Sequence, residues 1–174
     1  MPRRLFRIRP VRSADDLRAT AELFQAYASS LEIDLSYQDF AAELAALPGK
    51  YAPPGGELLL ARDRAGTQLG CVGLRPLSID GCCEMKRLYV LPDGRGLGLG
   101  RALIDAIIAE AERIGYREIR LDTLPTMIEA ILLYQEAGFT PTAPYYQTPV
   151  ANTIFFARPL ASGSRRTSGC GCPS

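Results

Sequence analysis

The sequence predicts a mixed α/β fold in one domain, organised around a strand, a glycine-rich turn, a long helix and a second strand that follow one another between Cys82 and Asp122. Three observations lead there. Leu88-Tyr89-Val90-Leu91 has the β-branched and aromatic character of a strand and breaks at Pro92 and Gly94. Leu103, Ile104, Ile107, Ile108, Ala111 and Ile114 recur at helical spacing as one apolar stripe, with Arg101, Asp105 and Glu112 on the wet side and Gly115 as the stop. Arg117 to Asp122 then alternates charged residues with Ile119 and Leu121, the pattern of a strand half covered by helices. Strand-helix-strand crossovers are right-handed, so these two strands should be parallel.

The remaining elements follow in order. Leu5, Phe6, Ile8 and Val11 among arginines make a first strand, and Ser13 with Asp16 opens a helix in the manner of a capping box, whose apolar face is Leu17, Ala21, Phe24 and Ala28. A connector, Ser29 to Leu35, leads to a second start at Ser36 with Asp39. That helix carries Phe40, Leu44 and Leu47 and stops at Pro48-Gly49. Glu57 to Arg62 and Gln68 to Leu77 are strands joined by the Gly-containing turn Asp63 to Thr67, and Cys82 to Leu91 is the strand that feeds the glycine turn. Thr126 and Glu129 cap a helix over Met127 to Ala137, ended by Gly138, and Thr153 to Leu160 is the closing strand.

Composition bounds the function. A chain of 174 residues, 47% of them apolar, suits one domain with a proper core, expected over 1–160, with 161–174 a disordered Ser/Gly/Arg/Cys tail. A formal charge of +1 argues against a dedicated nucleic-acid binder. The first residues carry arginines but no apolar leader, and no run approaches a membrane span, so no membrane partner and a cytoplasmic location are expected. Five cysteines, an odd number, read as reduced thiols; Cys82 and Cys83 are adjacent on a strand and point to opposite faces. Cys170 and Cys172 lie in the tail, and with no histidine in the chain no metal site is expected.

Glycines at 94, 96, 98 and 100 leave backbone N–H groups uncovered at the start of a helix, where the first turn adds unpaired N–H groups and the positive end of the dipole. Such a junction holds an anion, most often phosphate. It is not a P-loop, because Gly100 is followed by Arg101 and Ala102 rather than Lys and Ser or Thr. Nor does it carry the dinucleotide fingerprint: counted from Gly94 or Gly96, the third glycine position is Leu99 or Arg101. Arg95-Gly96-Leu97-Gly98-Leu99-Gly100 instead resembles the R-x-x-G-x-G/A pyrophosphate loop of the GNAT superfamily of acyl-CoA-dependent N-acetyltransferases. Leu133-Tyr134-Gln135-Glu136-Ala137-Gly138-Phe139 resembles that family's L-Y-x-x-x-G-F segment, and Glu84 to Val90 its fourth strand, so the likeness runs from about Arg3 to Leu160.

The resemblance implies a GNAT-like fold: a central, mostly antiparallel sheet with helices on both faces and a parallel fourth and fifth strand pair splayed around the acyl-CoA. It also implies acetyl-CoA as co-substrate, with the pantetheine arm hydrogen-bonded like an added strand along Leu88, Tyr89 and Val90. The pyrophosphate would sit on Arg95, Gly96, Leu97, Gly98, Leu99, Gly100 and Arg101. A β-bulge near Val90 would free a backbone N–H for the thioester carbonyl. Tyr134 corresponds to the general acid for the departing thiolate, or is a core-facing tyrosine. Glu84 stands where some members carry the general base, or is a strand-end carboxylate paired with Lys86 or an arginine. Where many members have Asn on the fifth strand this chain has Asp122, Thr123 and Pro125, and no contact is carried over there.

The implied reaction is direct attack of a primary amine, from a small molecule or a peptide, on the thioester. A side-chain amine of pKa about 10.4 is neutral in roughly one molecule in a few thousand at pH 7, against roughly one in ten for an α-amine near 8, so a base matters most for the former. The acceptor site is expected at the first inter-helix connector, where Glu32 and Asp34 would suit a cationic amine, and at Tyr145-Tyr146. Two alternatives stay open: a non-catalytic acyl-CoA-binding module, and a ping-pong enzyme with Cys82 or Cys83 as nucleophile. The resemblance also makes a homodimer possible.

Overall fold

The computed structural model describes residues 5–161. Arg3, at the start of the expected likeness, and the tail with Cys170 and Cys172 lie outside the described residues. One sheet carries the chain: β1 (Phe6–Pro10), β2 (Glu57–Asp63), β3 (Gln68–Pro76), β4 (Cys82–Val90), β5 (Glu118–Thr123), β6 (Thr140–Pro141) and β7 (Ile154–Pro159), in the order β1-β2-β3-β4-β5-β7-β6. Every neighbouring pair is antiparallel except β4 and β5, which are parallel as the strand-helix-strand order requires. The helices are α1 (Ala14–Ser30), α2 (Phe40–Ala46), α3 (Leu99–Ile114) and α4 (Ile128–Glu136).

Both faces of the sheet are covered, which explains why Leu58 to Ala61 is an unbroken apolar run. Leu59 and Ala61 pack with Cys83, Met85, Ile119 and Leu121 against the α3 stripe and against Tyr134 and Phe139. Leu58 and Leu60 point the other way, with Cys71, onto Leu23 and Phe24 of α1 and onto Tyr51. Ser13 caps α1, its hydroxyl accepting from the Asp16 N–H at 3.1 Å, and Gly115 closes α3 at φ 106°.

Two expectations need correction, and one strand left no signal. The helix placed at Ser36 is instead a single 3₁₀ turn, Leu35–Gln38, capped by Asp34, whose carboxylate accepts from the Ser36 N–H at 2.8 Å. Asp39 then turns left-handed at φ 57°, which Asp tolerates better than most residues, so α2 starts only at Phe40. Thr126 and Glu129 do not cap α4; Met127 holds that place without a side-chain bond, and the turn is closed by the Met127 N–H on the Leu124 carbonyl. Finally, two-residue β6 pairs with β7, a strand too short and too proline-bound to leave a pattern.

Leu103 is fully buried between α3 and the sheet. Leu103→Ala should cost about 3 kcal/mol through lost burial and a residual cavity, read as a lower urea midpoint at unchanged slope.

Candidate active site

β4 and β5 are paired at three positions, Cys82 with Glu118, Cys83 with Ile119 and Glu84 with Arg120, and then separate. Beyond that point Met85 to Leu88 form one wall of a cleft and Leu121 to Leu124 the other. Met127 and Tyr134 line it from the α4 side. From the α1 side come Tyr27, Gln38 and the connector residues Leu31, Ile33 and Leu35. The connector was expected here for its acidic residues. It contributes apolar ones, while Glu32 is exposed and Asp34 is spent on the cap of the 3₁₀ turn.

β4 also carries the bulge, but at Arg87 and Leu88 rather than near Val90. Cys71 pairs with Tyr89 and Gly73 with Lys86, so two β4 residues stand opposite Val72. Arg87 sits at φ 60°, a left-handed conformation that costs a non-glycine residue roughly 1–2 kcal/mol. What holds it is its buried side chain. The guanidinium donates to Glu43 Oε2 at 2.9 Å and to Gln38 Oε1 at 2.8 Å and lies over the Phe40 ring, 5.2 Å from its centroid.

The glycine loop follows the free end of β4. A 3₁₀ turn, Pro92–Gly94, leads to Gly96 at φ 77° and Gly98 at φ 74°, and a Cβ built on either glycine would meet open space. Gly98 is the N-cap of α3 and offers no side chain to the first N–H groups of the helix, those of Leu99, Gly100 and Arg101. Leu99 is buried beneath and anchors the turn. These bare donors, with the helix dipole behind them, fit a diphosphate. Arg95 donates from Nε to the Val90 carbonyl at 3.3 Å, beside the loop, whereas Arg101 turns to Asp105 at 2.9 Å and toward Glu136 at 3.8 Å. Leu97 is exposed on the loop surface.

On the α1 side of the sheet lies a compact set of buried charges, each carboxylate held by one close cation and one tyrosine hydroxyl. Glu84, 1% exposed, accepts from Arg75 Nε at 2.9 Å and from the Tyr145 hydroxyl at 2.5 Å. The partner is thus an arginine, but from β3, and Lys86 instead faces Asp122 at 3.5 Å. Asp122 accepts from Tyr146 at 2.8 Å; Glu43 accepts from Tyr51 at 2.9 Å as well as from Arg87. Tyr145 and Tyr146, expected at the acceptor site, therefore do reach the sheet centre, packed edge to face on Phe155. Burial lowers the Lys86 ammonium below its usual range while Asp122 and Glu84 pull it back up. Burial, then Glu84, pushes the Tyr145 phenol up.

Tyr134 lines the cleft while its ring packs on Phe139 and Phe156 in the core. Burial raises its phenol, keeping it protonated. Neither of the two cysteines weighed as a nucleophile lines the cleft. Cys82 and Cys83 lie at the paired end of β4, before the cleft, and burial pushes Cys83 up to about 12 and raises Cys82 as well. Among the described residues no group of three metal-ligating side chains gathers, and no helix is long and apolar enough to cross a membrane.

A strand pair parted beside an anion-binding loop, with a polar cluster across the gap, defines an acyl-CoA-dependent transferase, and comparison with known proteins agrees. Residues 17–139 match the model of the acetyltransferase (GNAT) family. An uncharacterized N-acetyltransferase of Schizosaccharomyces pombe is 45% identical over 148 residues, covering 85% of this chain and 91% of that one. Among solved structures, a GNAT-family acetyltransferase from Staphylococcus aureus superposes with a TM-score of 0.75 at 22% identity, over 90% of this chain and 99% of that one. A phosphinothricin acetyltransferase from Sinorhizobium meliloti, in complex with AcCoA, does so at 0.70 and 19% identity, over 98% and 94%. The chain belongs to the GNAT family. It is an acyl-CoA-dependent acetyltransferase.

Sequence reasoning missed Gln38, Glu43, Arg75 and Arg87, and weighed Lys86 only as a partner of Glu84. Charges on β4, within a strand otherwise fit for burial, were the available signal. Thr123 also lines the cleft, with its Oγ1 buried and without a hydrogen-bond partner among the described residues. Thr123→Val should raise the stability of the ligand-free protein by about 1 kcal/mol, since an orphaned hydroxyl is replaced by an apolar group of the same shape; thermal unfolding without co-substrate measures it.

Proposed function

We propose that this enzyme moves the acetyl group from acetyl-CoA directly to a primary amine of a small molecule or peptide, with no acyl-enzyme intermediate. The observation that carries the reading is the continuity of the cleft. It runs between the parted strands, with Lys86 and Asp122 on its wall and Glu84 the last β4 residue paired to β5 before it, while the glycine loop follows the free end of β4. In this scheme the N–H groups of Gly96 to Arg101, with Arg95 beside them, bind the pyrophosphate. The pantetheine arm pairs with the backbone of Leu88, Tyr89 and Val90, whose edge β5 has left. A backbone N–H released by the bulge at Arg87 and Leu88 polarises the thioester carbonyl.

The amine attacks as its lone-pair form, a C–N bond forms and the C–S bond breaks. Glu84 is the proton acceptor, reached through Tyr145: a proton from the attacking nitrogen passes to the phenol oxygen as the phenol proton passes to Glu84 Oε2, 2.5 Å away. Tyr134, on the opposite side of the cleft, gives its proton to the CoA thiolate. The pairing of Glu84 with Arg75 holds the carboxylate aimed. One chain supplies every group, so the scheme holds with or without a homodimer, and it needs a compartment stocked with acetyl-CoA, which points to the cytoplasm.

Calorimetric titration with acetyl-CoA, run beside NAD and ATP, is the first test. Micromolar binding of acetyl-CoA alone, lost in Gly98→Glu, is expected; a folded wild-type protein that ignores acetyl-CoA would overturn the assignment of the loop. Tyr134→Phe should bind acetyl-CoA normally and lower kcat about tenfold to a hundredfold without abolishing it, because a thiol of pKa about 8.5 leaves fairly well unaided. Glu84→Gln should lower kcat more for amines of high pKa than for α-amines. A non-catalytic module would show no acceptor-dependent release of CoA in any of these proteins.

A further inference from the structure

The buried charges say which acceptor the site can hold. Glu43, Glu84 and Asp122 each already have a cation and a tyrosine hydroxyl, so none of these three is left to receive a cationic substrate. Glu32 and Asp34, the acidic residues expected to do so, are exposed, and Asp34 is bound to the Ser36 N–H. The cations differ among themselves. Arg75 and Arg87 hold their carboxylates at 2.9 Å, the usual length of a charge-assisted bond. Lys86 reaches Asp122 only at 3.5 Å and Gln38 only at 3.3 Å, although its side chain is just 5% exposed.

An ammonium has three donors, and these two long bonds leave it under-coordinated in a buried position on the wall of the cleft. Strand alternation places Lys86 and Asp122 on the α1 side, opposite Met85 and Leu121, which pack with Tyr134. The spare capacity therefore faces the acceptor's side of the cleft, away from the group that receives the thiolate.

We propose that the acceptor is an α-amino acid, and that Lys86 Nζ binds its carboxylate in the cleft between β4 and β5. This deepens, and rests on, the acetyl-transfer reading. A single negative charge matches a single ammonium. A phosphate dianion would bring a second negative charge close to Asp122 and Glu84, which have no free cation to offset it. Spacing supports an amine next to the carboxylate. Lys86 and Glu84 are two residues apart on one face of β4, about 7 Å. With its carboxylate on Lys86, an amine one carbon away is directed along that face toward the Glu84–Tyr145 pair. Leu31, Ile33 and Leu35 wall the same space, so the side chain carried by that carbon is apolar. Burial lowers the Lys86 ammonium, and an arriving carboxylate would restore it.

The test measures CoA release from acetyl-CoA with the common L-amino acids, each beside its carboxamide and its decarboxylated amine. Wild-type protein should favour the acid over both analogues by about tenfold or more in kcat/KM, most strongly for apolar side chains. Lys86→Met should bring that ratio close to one by raising the acceptor KM, while Lys86→Arg, which keeps the charge, should retain a clear preference for the acid. Analogues that match the acid in wild-type protein, a ratio untouched in Lys86→Met, or no amino acid acetylated by a protein that binds acetyl-CoA would each overturn the proposal. The ratio in wild-type protein decides the matter even if Lys86→Met fails to fold. Absence of acetyl-CoA binding would instead remove the underlying acetyl-transfer reading.

Discussion

Everything at this site depends on two parallel strands that stop pairing after three residues. Ending a ladder inside a protein is costly, because backbone N–H and C=O groups lose their partners where water is scarce. In the proposed scheme that cost is met by a ligand, which supplies the missing strand. The arm of acetyl-CoA, extended and rich in amide groups, is chemically the right object to complete such an edge. The glycine loop lies at the far end of the same strand, so in that scheme anchoring the anionic end of the co-substrate would set the register of the rest.

On the other side of the sheet the balance is electrostatic. Three carboxylates and three cations are withdrawn from water together, and each carboxylate has a tyrosine hydroxyl as well. Such a set contributes little net stability, since desolvation consumes most of the Coulomb gain, but it fixes positions sharply. It ties together α2, the edge of β3, the middle of β4, the end of β5 and the segment before β7. Those parts have no common local signal, and packing alone would leave them free to slide.

How much of this could be read from the chain follows from the range of each interaction. The glycine loop, α3 and the segment from Leu133 to Phe139 are written locally, in spacing and turn residues, and they stand where the pattern put them. The sheet order of the second half follows from a single crossover. The capping of the second helix was misread because Asp34 accepts from the N–H of Ser36 and opens a 3₁₀ turn one residue before Ser36 could act as a cap, and nothing local says which start wins. The Glu84–Arg75 pair joins two strands through a hairpin, and Arg87 with Glu43 joins residues 44 apart in sequence, so neither leaves a periodic trace. The bulge was displaced from its expected place for a similar reason: a left-handed arginine is held by distant side chains rather than by its neighbours.

That bulge has a bearing on how such a site can arise. Before it, Cys83 and Met85 face the α3 core; after it, Leu88 and Val90 do, and the parity of the strand has changed between them. Without Arg87, the residues Cys83, Met85, Leu88 and Val90 would alternate with Glu84, Lys86 and Tyr89 without a break, as in an ordinary strand of an ordinary sheet. A plain structural strand and a catalytic one are, at this place, a single codon apart, and the extra codon encodes the residue whose side chain holds the irregularity open.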